Sequence, residues 1–143
     1  MLRGVSSVVA NRGRGARGKP DPVQPVHGGV YWVDDARVTM PPWLPARRLK
    51  TPRPVIVVSG STFNFDDSWQ FVLVVPTSTE PEMVSRFCVD LRPAESGMSR
   101  QTWARVPAIQ PLEKTDLLDR CGLLQPMLMR AVIAQLVRYL ELA

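Results

Sequence analysis

Two short β-branched runs constrain this chain more than anything else in it. The first, Val55-Ile56-Val57-Val58, follows Arg53-Pro54 and ends at Ser59; the second, Phe71-Val72-Leu73-Val74-Val75, ends in Pro76-Thr77-Ser78-Thr79. Apolar runs of this length, bounded by turn formers, read as strands buried on both faces or closed in a tight barrel. The two are expected to pair. If they pair antiparallel, Arg53 and the hydroxyls of Thr77, Ser78 and Thr79 lie at one sheet edge, where a guanidinium facing hydroxyls suits a phosphate. The connection, residues 60–69, holds Phe63, Phe65, Trp69, Asp66 and Asp67. It is too long for a tight hairpin and of the length that carries function.

The remaining elements follow from punctuation. Residues 28–34 read as a strand with a polar exit, and residues 36–51 as a long loop stiffened by Pro41, Pro42 and Pro45, with the basic run Arg47-Arg48-Leu49-Lys50 held near Arg53. Trp43 in that loop either stacks on a base or plugs the barrel mouth. Glu80-Pro81-Glu82 turns the chain into an alternating strand at residues 84–91, residues 92–98 form a loop, and a further strand runs over 102–109. Pro107 denies that strand one ladder bond, so an edge or bulge is expected there. Residues 113–118 form a short strand or one helical turn, ended by Gly122. Pro126 is placed as a first helical residue, and Leu128, Ala131, Val132, Leu136, Tyr139 and Leu140 mark one face of a helix reaching about Leu142. The fold class is mainly β, a small barrel plus a capping C-terminal helix.

Charge refines the domain picture. The 143-residue chain carries 18 Lys or Arg against 13 Asp or Glu, with a pI near 9.9. Residues 1–27 hold five of the cations and one Asp, which leaves the body nearly neutral. Nucleic-acid binding by the body therefore has to come from clustering. Residues 1–27, with the Arg-Gly stretch Arg12-Gly13-Arg14-Gly15, have almost nothing to bury and read as a basic, disordered arm ahead of one domain at 28–143. Such an arm either tracks a nucleic-acid backbone or is a plain solvated extension. His27, the one histidine, sits at its end and reads as structural or incidental. Cys88 and Cys121 give neither a disulfide framework nor metal spacing, and read as small packing residues of a reduced cytosol. No apolar run reaches membrane-span length and no signal-peptide core opens the chain, so a soluble cytoplasmic protein without membrane contact is expected.

The order Gly29-Val30-Tyr31-Trp32-Val33-Asp34, then Arg53-Pro54-Val55-Ile56-Val57-Val58-Ser59, then Val74-Val75-Pro76-Thr77-Ser78, then Ser96-Gly97-Met98 to Arg105-Val106, then Gly122-Leu123-Leu124 and the terminal helix resembles the PemK/MazF toxins of type II toxin-antitoxin systems. The resemblance covers residues 28–142. It implies an SH3-like barrel and a homodimer with ribonuclease activity: sequence-specific cleavage of single-stranded RNA, mRNA included, independent of the ribosome, of metal and of any cofactor. A cognate antitoxin would hold it inactive by laying an acidic segment over Arg47, Arg48, Lys50 and Arg53, and DNA would be met only through that antitoxin. The family's catalytic arginine falls on Arg53, and its hydroxyl on Ser78, with Thr77 the alternative. Arg105 matches a further arginine of some members, while Pro107 stands where those members carry an aspartate.

Metal-free RNA cleavage uses the substrate's own 2′-OH, so the protein must align the sugar-phosphate, neutralise the phosphorane and move two protons. Arg53 and Arg105 are the candidate cations, and Ser78 or Thr77 the candidate donor. Asp66, Asp67, Glu80 and His27 are the candidate bases, because an arginine rarely releases a proton; Asp66-Asp67 reads equally as a solvated turn. Arg47, Arg48, Lys50, Trp43 and Trp69 are candidate RNA contacts. Two other readings of the same barrel remain: a CcdB-like gyrase poison that cleaves nothing, and a noncatalytic RNA- or protein-binding module.

Overall fold

The computed structural model describes residues 24–40, 52–81, 84–93, 98 and 100–142. The basic arm through residue 23, and the loop holding Trp43, Arg47, Arg48 and Lys50, lie outside the described residues. In chain order the elements are β1 (Gly29–Val33), a 3-10 turn (Asp35–Arg37), β2 (Arg53–Val57), the single-turn α1 (Ser61–Asn64) and β3 (Phe71–Ser78). There follow β4 (Cys88–Asp90), β5 (Trp103–Arg105), a 3-10 turn (Val106–Ala108), β6 (Gln110–Glu113), a 3-10 turn (Lys114–Asp116), β7 (Arg120–Leu123) and α2 (Pro126–Tyr139).

The two apolar runs pair as expected, antiparallel, with Val55 opposite Pro76 and Val57 opposite Val74. Successive side chains of a strand point to opposite faces, and here each face meets its own core. Val30, Ile56 and Val75 join one cluster; Tyr31, Val33, Val55, Val57, Val72 and Val74 join the other. A strand covered on both sides has no polar face, which is why these runs do not alternate. β1 is reached through Gly28, whose φ of 84° lies in the left-handed region that glycine tolerates. At Gly29 a Cβ would sit 2.7 Å from the Tyr31 ring, so only glycine lets the chain pass there.

β3 is the hub. Its first half pairs with β6 and its last two residues with β5, while β2 lies along its other edge. The order is β4-β5-β3-β2-β1-β7, with β6 also beside β3. Helix α2 covers one end of this small mainly-β barrel, sending Met129 and Val132 into the cluster that holds Val30 and Ile56.

Four expectations are corrected. The strand foreseen over 102–109 is broken, because Pro107 sits early in the 3-10 turn that carries the chain from β5 to β6; proline's locked φ and missing N–H suit that turn, not a ladder. Of the two readings of residues 113–118 the helical turn forms, over Lys114–Asp116, and the correction is at Gly122, which pairs with Val30 within β7 instead of ending an element. The strand at 84–91 shrinks to β4. Helix α2 stops at Tyr139, and Tyr139 and Leu140 are 41% and 51% exposed, so the helix outruns the core it caps. Cys88 and Cys121 are free and half-buried, and burial pushes the Cys121 thiol pKa up. Among the described residues no helix is long and apolar enough to cross a membrane.

Candidate functional site

The turn after β1 sets the site. Asp34 Oδ1 accepts the Ala36 amide at 3.1 Å and caps the 3-10 turn, which sends the next residue, Asp35, inward to full burial. Across the ladder Arg53 pairs with Val33 and is itself 4% exposed. Its Nε donates to Asp35 Oδ1 at 2.6 Å, its Nη2 to Oδ2 at 3.3 Å, and its Nη1 to the Thr77 carbonyl at 2.5 Å. A lone guanidinium buried this deeply would be heavily penalised; the carboxylate fork offsets that and fixes the plane of the group. Three of its five N–H groups are used, leaving one on each terminal nitrogen.

Arg53 lines a cavity of about 290 Å³ with Trp32, Pro54, Thr77, Ser78, Thr79, Met98, Arg100, Thr102 and Cys121. The antiparallel pairing of β2 and β3 thus brings Arg53 and the hydroxyl cluster to one place. The two candidate hydroxyls are wired differently. Thr77 Oγ1 donates to the Pro54 carbonyl at 2.8 Å, which consumes its proton. Ser78 Oγ accepts the Glu80 amide at 3.1 Å and keeps its proton to donate.

The other sequence candidates lie elsewhere. Asp66 and Asp67 do not line the cavity. Asp66 Oδ1 takes the Ser68 hydroxyl at 2.6 Å and the Ser68 amide at 2.9 Å, a turn-closing arrangement that holds its carboxyl below the usual range, with Lys114 adding to the effect. Lys114 Nζ is buried against the carbonyls of Phe63 and Asp66, both at 2.9 Å, so it clamps this loop; burial pulls its pKa down. Trp69 is 48% exposed and packs on Phe63 with centroids 5.3 Å apart. His27 Nδ1 lies 3.3 Å from the Ser59 carbonyl oxygen. Arg105 is 7% exposed and lines a second cavity, with Thr39, Pro107, Ile109, Gln110 and Tyr139. Among the described residues no group of three or more His, Cys, Asp or Glu converges as a metal site.

The model of the PemK-like, MazF-like toxins of type II toxin-antitoxin systems matches residues 27–140, which spans β1 to α2 and the whole Arg53 cavity. The chain belongs to this family. Solved structures share the toxin's fold. An endoribonuclease from a mycobacterial species is 20% identical, with a TM-score of 0.60 over 84% of this chain and 94% of that one. A mycobacterial endoribonuclease in complex with its cognate antitoxin is 22% identical, with a TM-score of 0.59 over 82% and 94%. A MazE-MazF complex from Deinococcus radiodurans is 17% identical, with a TM-score of 0.61 over 85% and 99%. A search of curated proteins gives no match.

Sequence reasoning on the toxin missed Asp35, Arg100 and Thr102. Asp35 had a readable signal, since an Asp directly behind a capping Asp cannot also serve the cap and must go inward or to solvent. Arg100 and Thr102 reach the cavity through a loop whose path no spacing rule fixes. As built, the cavity offers an oriented cation, a free hydroxyl donor and a second arginine, groups whose chemistry suits a phosphodiester.

Proposed function

We propose that this toxin is an endoribonuclease that cleaves single-stranded RNA, mRNA included, at short sequences and without a metal ion, using the substrate's 2′-OH as nucleophile. One observation carries the reading: Arg53 is buried, held in a fork by Asp35, and lines the same cavity as Ser78. In the proposed reaction the 2′-oxygen bonds to phosphorus and the P–O5′ bond breaks. The 2′-OH gives up its proton and the departing 5′-oxygen gains one, leaving a 2′,3′-cyclic phosphate and a 5′-hydroxyl. Arg53 stabilises the charge on the non-bridging oxygens, Ser78 donates to one of them, and Arg100 holds the flanking backbone. The reading assigns no general base to the described lining residues.

The active unit is the domain at residues 28–143, behind the basic arm. It is proposed to work in the cytoplasm as a homodimer, with Arg47, Arg48, Lys50, Trp43 and Trp69 as further RNA contacts, and to be silenced by an acidic antitoxin segment. Exposed apolar residues on the barrel, among them Phe71, Leu73 and Leu123, support a dimer. The test is incubation of antitoxin-free protein with a long unstructured RNA in EDTA, with Arg53→Ala alongside. Breaks at one short sequence bearing 5′-hydroxyl ends, and lost in the variant, are expected. Intact RNA would favour the gyrase-poison or binding-module readings, and unchanged cleavage by Arg53→Ala would remove Arg53 from the mechanism.

A further inference from the structure

The second buried arginine is wired unlike the first. Arg105, on β5, is 7% exposed, and its Nη1 is buried without a hydrogen-bond partner. A guanidinium N–H out of water and unbonded is unfavourable unless an acceptor arrives. The side chain lines a cavity of about 410 Å³ whose other walls are Pro107, Ala108, Ile109 and the Tyr139 ring, with Gln110 and Thr39 at the side. Gln110 is committed to structure, since its amide nitrogen donates to the Thr39 and Ala108 carbonyls at 2.8 and 2.9 Å and its oxygen accepts the Thr39 amide at 2.9 Å. Gln110 is thus closed within the chain, and the cation lining this cavity is Arg105.

We propose that this cavity is a carboxylate-binding subsite for a partner polypeptide, one that inserts a Glu or Asp side chain onto Arg105 while its apolar neighbours cover Tyr139. The surroundings favour a peptide over a nucleic-acid backbone. The ring of Tyr139 packs edge-on to Phe87 at 5.1 Å, Arg86 stands over Phe87 at 4.9 Å, and Leu140, Leu142 and Val84 are exposed apolar residues on the adjoining segments. A polyanionic strand would find one buried cation amid apolar walls, whereas an acidic residue between apolar ones finds a match for each part. In a toxin-antitoxin family the antitoxin is the partner of that chemistry, and the inference rests on that part of the reading alone.

The experiment titrates the full-length toxin with two synthetic peptides, acetyl-Leu-Glu-Leu-Trp-amide and its Gln counterpart, following the Ile109 methyl and Tyr139 ring signals by NMR. A charge-assisted hydrogen bond to a buried guanidinium predicts that the Glu peptide binds about tenfold to a hundredfold tighter. Arg105→Met should erase that preference; should it fail to fold, the Glu-to-Gln ratio on the wild-type toxin still decides. Equal affinity for the two peptides overturns the proposal. So does movement of the same signals by a single-stranded RNA oligomer when neither peptide moves them, which would make the cavity a phosphate subsite. RNA cleavage measured on the same samples reports separately on the ribonuclease reading, so either idea can fail without the other.

Discussion

The fork between Arg53 and Asp35 gives the sharpest prediction, because stability and function should part company there. Both side chains are 5% exposed or less, so solvent screens the pair little. In Asp35→Asn the amide oxygen can still accept from Nε, but the compensating charge is gone and the guanidinium stays buried. Removing one partner of a buried pair costs about 3–5 kcal/mol. For a domain of this size that lowers Tm by roughly 9–15 °C, at about 3 °C per kcal/mol. The double variant Asp35→Leu with Arg53→Met removes both charges at similar volume, which is often neutral or stabilising. It should therefore melt well above Asp35→Asn while remaining inactive on RNA. Asp35→Asn itself should keep Arg53 but lose its fixed plane, with cleavage falling by about tenfold or more. Thermal melts followed by circular dichroism, together with RNA cleavage assayed well below every Tm, make the comparison. The reasoning is refuted by an Asp35→Asn variant melting within about 3 °C of wild type, or by a double variant less stable than the single one.

Other expectations can be checked alongside. Ser78→Ala should lower RNA cleavage by about a hundredfold to a thousandfold, as loss of one transition-state donor does, whereas Thr77→Val should act mainly on Tm through its lost bond to the Pro54 carbonyl; equal kinetic losses would contradict the assignment. By NMR titration the Asp66 carboxyl should have its midpoint below 3.8, and Ser68→Ala should raise it. The sign follows, since a folded pKa below the unfolded one stabilises fully above the unfolded value and is lost as pH falls through the folded one; a wild-type midpoint at or above 3.8 contradicts it. Gly28→Ala should destabilise the fold by about 1 kcal/mol or more, because φ of 84° is strained for any residue with a Cβ, and an unchanged Tm would mean that the turn relaxes freely.

What could be read in the sequence was whatever local pattern controls. The runs at β2 and β3 declared themselves through β-branching, and their pairing alone delivered Arg53 to the hydroxyls of Thr77 and Ser78. Pro126 opened α2 where expected, because proline at a first helical position loses nothing. Failures came where tertiary context decides. β7 escaped notice because Arg120-Cys121-Gly122-Leu123 has no strand propensity, and it forms because β1 offers it an edge. Asp66-Asp67 read equally as candidate carboxylates and as a solvated turn, and only tertiary contacts separate the two readings: the Ser68 bonds and the Lys114 clamp place Asp66 in a loop-closing turn. Asp35 had a signal in its place directly behind the capping Asp34, but that signal leaves inward and outward open, and hydropathy does not mark a buried charge until its partner is located.

The contrast between the two buried arginines is one of wiring, not of burial. Arg53 spends three N–H groups on partners within the chain, so its orientation is set ahead of any ligand. A group that must meet many substrates in succession gains from such preorganisation, since each encounter then carries no reordering cost. Arg105 leaves Nη1 buried and unbonded, which penalises the free protein until an acceptor enters. That penalty is relieved only while the partner stays bound, so it adds to the strength of a lasting complex and would hinder a rapidly exchanging one. On the two proposals the same residue type, with only β3 between the two strands that carry it, is set up for turnover at Arg53 and for capture at Arg105. Arg53→Lys, with its unforked point charge, should therefore depress cleavage far more than peptide binding, whereas Arg105→Lys should weaken binding of the Glu peptide far more than it slows cleavage. Parallel losses in both assays for either variant would show that the two cavities act as one site.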